Sequence, residues 1–176
     1  ASAGARLAAG GTGVFVARYD AAGTLLWARR GGGAADDEAR GIAVCADGSG
    51  VAIGGFRGAA AFSDPLLPVA VQSLGGLDAF VARYGADGAL LSVRTAGGTV
   101  DDEARGVAAT ADGGCLVAGT FQTMATLSGS LPPQNVLGFG ARDVFLARYA
   151  AGGGVVWPKG AGGTDFDQGL GVGAPP

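Results

Sequence analysis

Three consecutive carboxylates, Asp36-Asp37-Glu38, return 65 positions later as Asp101-Asp102-Glu103, and a thinned third copy keeps Asp165 and Asp167. Hard oxygen donors crowded on a loop are what Ca²⁺ binds, with roughly six to eight ligands around each ion. The first six acids are therefore candidate calcium ligands. Their spacing matches no calcium-loop pattern. The competing reading is structural: they cap the loop and pair with Arg40, Arg105 or arginines of the neighbouring repeat. Paired carboxylates also hydrolyse glycosidic bonds. A catalytic site, however, is one constellation in one cleft, whereas these acids recur along the chain. The expectation is a protein that is not an enzyme, with no catalytic residues and no cofactor beyond the calcium candidates.

The remaining chemistry is sparse. The chain contains no histidine, which removes imidazole acid–base catalysis, Ser-His-Asp triads and most zinc sites together. Its two cysteines, Cys45 and Cys115, are too few for a disulfide scaffold. They are not equivalent in the repeat, since 65 residues beyond Cys45 stands Thr110 and 65 before Cys115 stands Gly50. They are either bridged or buried as free thiols. Trp27 and Trp157 offer flat faces on which a sugar could stack, with burial between strands as the alternative. Gly31-Gly32-Gly33 lacks the Gly-Lys-Ser/Thr of a phosphate loop. Net charge is −3 with no basic block, so nucleic acid is not an expected partner. No apolar run is long enough to span a bilayer.

The elements that must carry these residues are themselves repeated. Phe15-Val16-Ala17-Arg18-Tyr19 recurs as Phe80-Val81-Ala82-Arg83-Tyr84 and again as Phe145-Leu146-Ala147-Arg148-Tyr149, 65 residues on at each step. Gly32-Gly33, Gly97-Gly98 and Gly162-Gly163 keep the same spacing, as do the acidic blocks. Several separate blocks in one register define an internal repeat. Within one period four strand-like runs stand out: 40–45, 50–56, 79–84 and 89–94. Asp-Gly turns at 47–48 and 87–88 mark hairpins. The 36 glycines among 176 residues fit many tight turns. Hydrophobic residues at 48% with 15% charged exclude a disordered chain. No sustained helical stripe is present.

Four antiparallel strands per period describe a β-propeller blade, whose two faces both pack on neighbours. Arg18, Arg83 and Arg148, on a packed strand face, are expected to pair with carboxylates of the Asp36–Glu38 type. Asp78 and Asp143 read as strand-entry residues. The stretches 57–77 and 122–142 differ between copies, carry Pro65, Pro68, Pro132 and Pro133, and read as variable loops, where recognition is usually carried.

The Asp-Ala-Phe-Val-Ala-Arg-Tyr run at 78–84, Leu-Leu-Trp at 25–27 and the block at 36–44 with its Asp-Gly hairpin resemble the bacterial β-propeller repeat family known as SBBP. The resemblance covers nearly the whole chain and weakens at Phe166 and Leu170, where the last copy loses the Asp and Arg of the block. It implies an all-β propeller in an exported or cell-surface bacterial protein, and no activity. About 2.7 periods are present. They divide as the outer two strands of a blade (1–34), two full blades (35–99 and 100–164) and the start of another (165–176). So few blades do not close a ring, which leaves an open segment of a larger propeller or one part of an oligomeric ring. The expected function is protein interaction, adhesion or surface assembly, with a protein or a surface glycan as partner. The alternatives are a lectin-like propeller using Trp27 and Trp157, and a non-catalytic segment of a larger propeller enzyme.

Overall fold

A computed structural model describes residues 11–63 and 68–175, so Pro65 lies outside the described residues. All regular structure among them is β. The strands are β1 (Val14–Tyr19), β2 (Leu25–Gly33), β3 (Glu38–Val44), β4 (Gly50–Phe62), β5 (Val69–Tyr84), β6 (Leu90–Gly97), β7 (Glu103–Ala109), β8 (Cys115–Phe121), β9 (Met124–Leu127), β10 (Gln134–Leu137), β11 (Asp143–Tyr149) and β12 (Val155–Ala161). Among the described residues no helix is long and apolar enough to cross a membrane.

Tight turns join neighbours in sequence into antiparallel neighbours in space. Gly48 and Gly113 hold φ of 77° and 81° in the turns before β4 and β8, a backbone state that favours glycine. The strands β3, β4, β5 and β6 form one four-stranded antiparallel unit. The strands β7, β8, β11 and β12 form a second. The hairpin β1–β2 precedes them. Tyr84 pairs with Gly50 and Tyr149 with Cys115, and a register shift before each tyrosine is shared by Tyr19.

The variable stretches are not free loops. β4 and β5 run on past the unit, and their extension pairs with β2 of the preceding hairpin, Phe62 opposite Gly31 and Ala60 opposite Gly33. In the next unit a separate hairpin, β9–β10, does the same to β6, with Leu127 opposite Ala96 and Thr126 opposite Gly97. The reason is the outer edge. β2 and β6 would otherwise present a row of unpaired amides and carbonyls, and the hairpins satisfy part of that row. They put β1–β6, β9 and β10 into one eight-stranded sheet, while β7, β8, β11 and β12 form a separate four-stranded sheet.

Strand alternation sends the two faces of the middle unit into different cores. Phe80, Ala82 and Tyr84 of β5 pack with Val14 and Val16 of β1 and with Ala52 and Phe56 of β4. Val51, Ile53 and Val81 turn the other way and pack with Cys115, Val117, Phe145 and Tyr149 of the last unit. A phenylalanine buried as fully as Phe80 or Phe145 contributes about 2–3 kcal/mol. The units are thus held face to face by apolar side chains and edge to edge by the hairpins.

One expected strand is missing. Gly171 to Ala174 stands two periods beyond Gly41 to Val44, but forms no ladder. The segment instead lies over β7, where a Cβ on Gly106 would meet Gly171 Cα at 2.7 Å. A strand needs a hydrogen-bonded partner, and no described residue offers one there.

Candidate functional site

The repeated acids stand in the connections between units, and they divide into two kinds. Asp37 is fully buried. Its Oδ2 accepts the N–H of Gly33 at 2.6 Å, and its Oδ1 accepts the N–H of Arg57 at 3.0 Å. Asp102 repeats this with Gly98 at 2.6 Å and Gln122 at 2.9 Å. Asp167 accepts Gly163 N–H at 2.7 Å. The backbone N–H of each of these aspartates in turn reaches a carbonyl: Thr12 ahead of β1 at 2.9 Å, Leu77 within β5 at 2.5 Å and Arg142 ahead of β11 at 2.8 Å. Asp37 and Asp102 therefore each bind the end of an outer strand and a variable stretch, whereas Asp167 makes only the outer-strand and carbonyl contacts. Burial pushes the Asp102 carboxyl up to about 7, against the pull of its two amide donors, with Asp78 and Asp101 adding repulsion.

The other acids are more exposed. Asp36 accepts Thr12 N–H at 2.9 Å and Thr12 Oγ1–H at 3.2 Å, which hold its carboxyl below the usual range. Asp101 accepts Leu77 N–H at 2.8 Å and pairs with Arg57 at 3.1 Å. Glu38 pairs with Arg40 at 2.7 Å. Glu103, mostly buried, sits between Arg40 of the preceding unit at 2.6 Å and Arg105 at 2.8 Å. Among the described residues, no group of three or more Asp, Glu, Cys or His side chains is arranged to hold a metal ion. The six calcium candidates are therefore spread over amide and arginine partners rather than converging on one point.

No family model and no curated protein matches this chain.

The arginines take partners that the sequence does not point to. Arg83, buried, donates to Gly113 O at 2.6 Å and pairs with Asp47 at 3.1 Å. Arg18 donates to Gly48 O at 2.8 Å. Arg148 pairs with Asp112 and donates to Thr110 Oγ1 at 3.0 Å. The carboxylates come from the tight turn before the second strand of each unit, not from the acidic blocks. A second arginine series was not singled out in the sequence: Arg29 Nε donates to Gly88 O at 2.7 Å and Arg94 Nε to Gly153 O at 2.8 Å. Its signal was present, because Arg29 and Arg94 are 65 residues apart and Lys159 follows.

The two tryptophans have different surroundings. Trp27 donates its Nε1–H to Ala86 O at 3.0 Å, lies 6.0 Å from the Tyr84 ring and carries Arg29 over its face at 5.7 Å. It covers the turn of the next unit. Trp157 lines an open cleft with Asp112, Leu116 and Arg148. Cys45 and Cys115 are buried free thiols. Burial, with the neighbouring Cys45 sulfur, pushes the Cys115 thiol up to about 11, away from the reactive thiolate range.

Asp143 opens β11, but Asp78, expected as a strand-entry residue, stands inside β5 opposite Phe56, because the strand runs on through the variable stretch. Both are buried. Asp78 accepts Leu74 N–H at 3.0 Å, and Asp143 accepts Phe139 N–H at 2.8 Å, while the Oδ1 of each has no hydrogen-bond partner. Burial raises the Asp78 carboxyl to about 6. A Cβ on Gly97 would lie 2.5 Å from Asp78 Oδ2, so the acid occupies the space a side chain would need.

Proposed function

We infer that the four-stranded units are blades of a β-propeller of the SBBP type, and that the chain is a non-catalytic bacterial module acting outside the cell or on its surface in protein interaction, adhesion or assembly. The observation that carries this reading is the use made of the repeated polar groups. Asp37, Asp102, Arg83 and Arg94 all bind backbone groups that join one unit to the next. Chemistry repeated at every junction serves the array, whereas catalysis needs one converging constellation. Face-to-face stacking of four-stranded meanders supports the propeller assignment.

A lectin-like reading keeps one supporting observation: the open cleft where Trp157 stands beside Asp112 and Arg148. One experiment separates the two. Fluorescently labelled chain is added to bacterial cell envelopes that have been left intact, treated with protease or treated with periodate. Loss of binding after protease alone supports the protein-interaction module. Loss after periodate alone supports the lectin. Absence of binding to intact envelopes contradicts both.

A further inference from the structure

The two cysteines occupy different places in the repeat, yet the stacking of units brings them to one spot. Cys45 directly follows β3 of the middle unit, and Cys115 opens β8 of the last unit. They stand 70 positions apart rather than 65, so the repeat itself does not pair them. They meet because the end of the first strand in one unit faces the start of the second strand in the next.

Cys45 and Cys115 are 4% and 2% exposed and belong to one apolar cluster with Val51, Val117 and Tyr149. The Cys45 sulfur lies 4.0 Å from the carbonyl oxygen of Gly114, the residue whose peptide bond leads into Cys115. That oxygen is about 3 Å from the Cys115 Cα, because one planar peptide group carries both. The Cys45 sulfur is therefore within about 7 Å of the Cys115 Cα, a gap that turning two short side chains narrows.

A bond between the sulfurs would break little. Cys45 gives up one weak S–H···O contact, to Gly114. A cavity of about 10 Å³ lies beside Cys115, lined in part by Val51, Val81 and Tyr149, so the Cys115 sulfur has room to turn. The docked thiols, however, exchange poorly. Burial and the neighbouring Cys45 keep Cys115 protonated, against the pull of Arg83 and Arg148, and a protonated thiol is not a nucleophile. Oxidation therefore belongs to the stage before the units dock.

We propose that Cys45 and Cys115 are joined by a disulfide that staples the middle unit to the last, made while the chain folds in the presence of a disulfide oxidant such as oxidised glutathione. One cysteine thiolate attacks the oxidant, forming a mixed disulfide and releasing one of the oxidant's two sulfurs. The other cysteine thiolate attacks the protein sulfur of that mixed disulfide and releases the second. The two cysteine protons end on the two released thiols, and two electrons pass to the oxidant. Docking then buries the finished bond. This stands on the two thiols and their surroundings, so it is independent of the function inferred above.

The test refolds the 176-residue chain from urea in a glutathione redox buffer, traps free thiols with N-ethylmaleimide in denaturant and reads the intact mass. The expected product carries no maleimide and weighs two hydrogens less than the reduced chain. Its melting temperature is expected to exceed that of the reduced chain by roughly 10 °C, given the long loop that the bond closes. At one glutathione poise, the ratio of bridged to reduced chain is expected to be about a thousandfold higher in buffer than in urea, because the fold holds the sulfurs together. Cys45→Ala is expected to make melting independent of the redox buffer. Four results would overturn the proposal: a refolded chain that takes up two maleimides, a bridged fraction equal in buffer and in urea, a bridged chain that melts below the reduced one, or a disulfide-linked dimer in place of the bridged monomer.

Discussion

Asp102 and Gly98 are joined by a hydrogen bond of 2.6 Å, from the backbone N–H to one carboxylate oxygen, and the N–H of Gln122 holds the other oxygen at 2.9 Å. The aspartate is buried where one four-stranded unit hands the chain to the next. Asp37 and Gly33 stand in the same relationship at the preceding junction, also at 2.6 Å.

Removing this acceptor strands two amide donors away from water. Asp102→Ala is expected to destabilise the chain by about 2–4 kcal/mol. Asp101→Ala removes a half-exposed ion pair to Arg57 and an amide contact that water can replace, so about 1 kcal/mol or less is expected. Urea denaturation of the two variants checks the contrast. Equal losses would contradict the division between buried clamp and exposed pair.

Stability should depend on pH in a definite direction. Asp78 and Asp102 have carboxyls raised by burial to about 6 and about 7. Folding therefore takes up protons at these sites. Their stabilisation is full below the ordinary carboxylate value and is lost as pH rises through about 6 and about 7. Asp36, Asp47 and Asp112 are held low, chiefly by the Thr12 amide and the Ser49 and Thr110 hydroxyls. Their contribution is lost in acid, as pH falls through their folded values. Urea midpoints should be higher at pH 5 than at pH 8, and Asp78→Asn should narrow the gap. Equal midpoints in the unsubstituted chain would count against the buried acids.

Close strand contact makes some glycines irreplaceable. A Cβ on Gly119 would overlap the Glu103 carbonyl oxygen and lie 2.6 Å from Phe145 Cε1. Gly119→Ala should cost about 3 kcal/mol or more through forced strand separation. Gly152, with nothing within 4 Å of its Cβ position, should tolerate alanine within about 0.5 kcal/mol. Thermal melting of both variants gives the comparison.

What was legible in the sequence follows from how local each signal is. The Asp-Gly turns and the Phe-Val-Ala-Arg-Tyr runs placed β4, β5 and the turn between β3 and β4, because turn chemistry and alternation act over a few residues. The hairpin β9–β10 and the extension of β4 and β5 were not legible. Their partners on β2 and β6 lie about 30 residues away, as Phe62 lies from Gly31, and small residues such as Ala59 to Ala61 carry no strand alternation. The acids were visible as repeated, but not their roles. Asp37 and Asp36 are neighbours of the same type, and only the folded chain shows that one faces buried amides while the other faces solvent. The partner of Arg83 was misread for the same reason: it was expected in the acidic blocks, and Asp47 instead meets it from the turn before β4, the strand beside its own.

The central claim is that the recurring acids are clamps between units rather than ion ligands. Calorimetric titration of CaCl₂ into the metal-free chain tests it most directly. The account predicts no saturable heat and a melting temperature that is the same in Ca²⁺ and in chelator. A saturable heat that disappears in Asp102→Asn, together with a calcium-dependent rise in melting temperature, would contradict it.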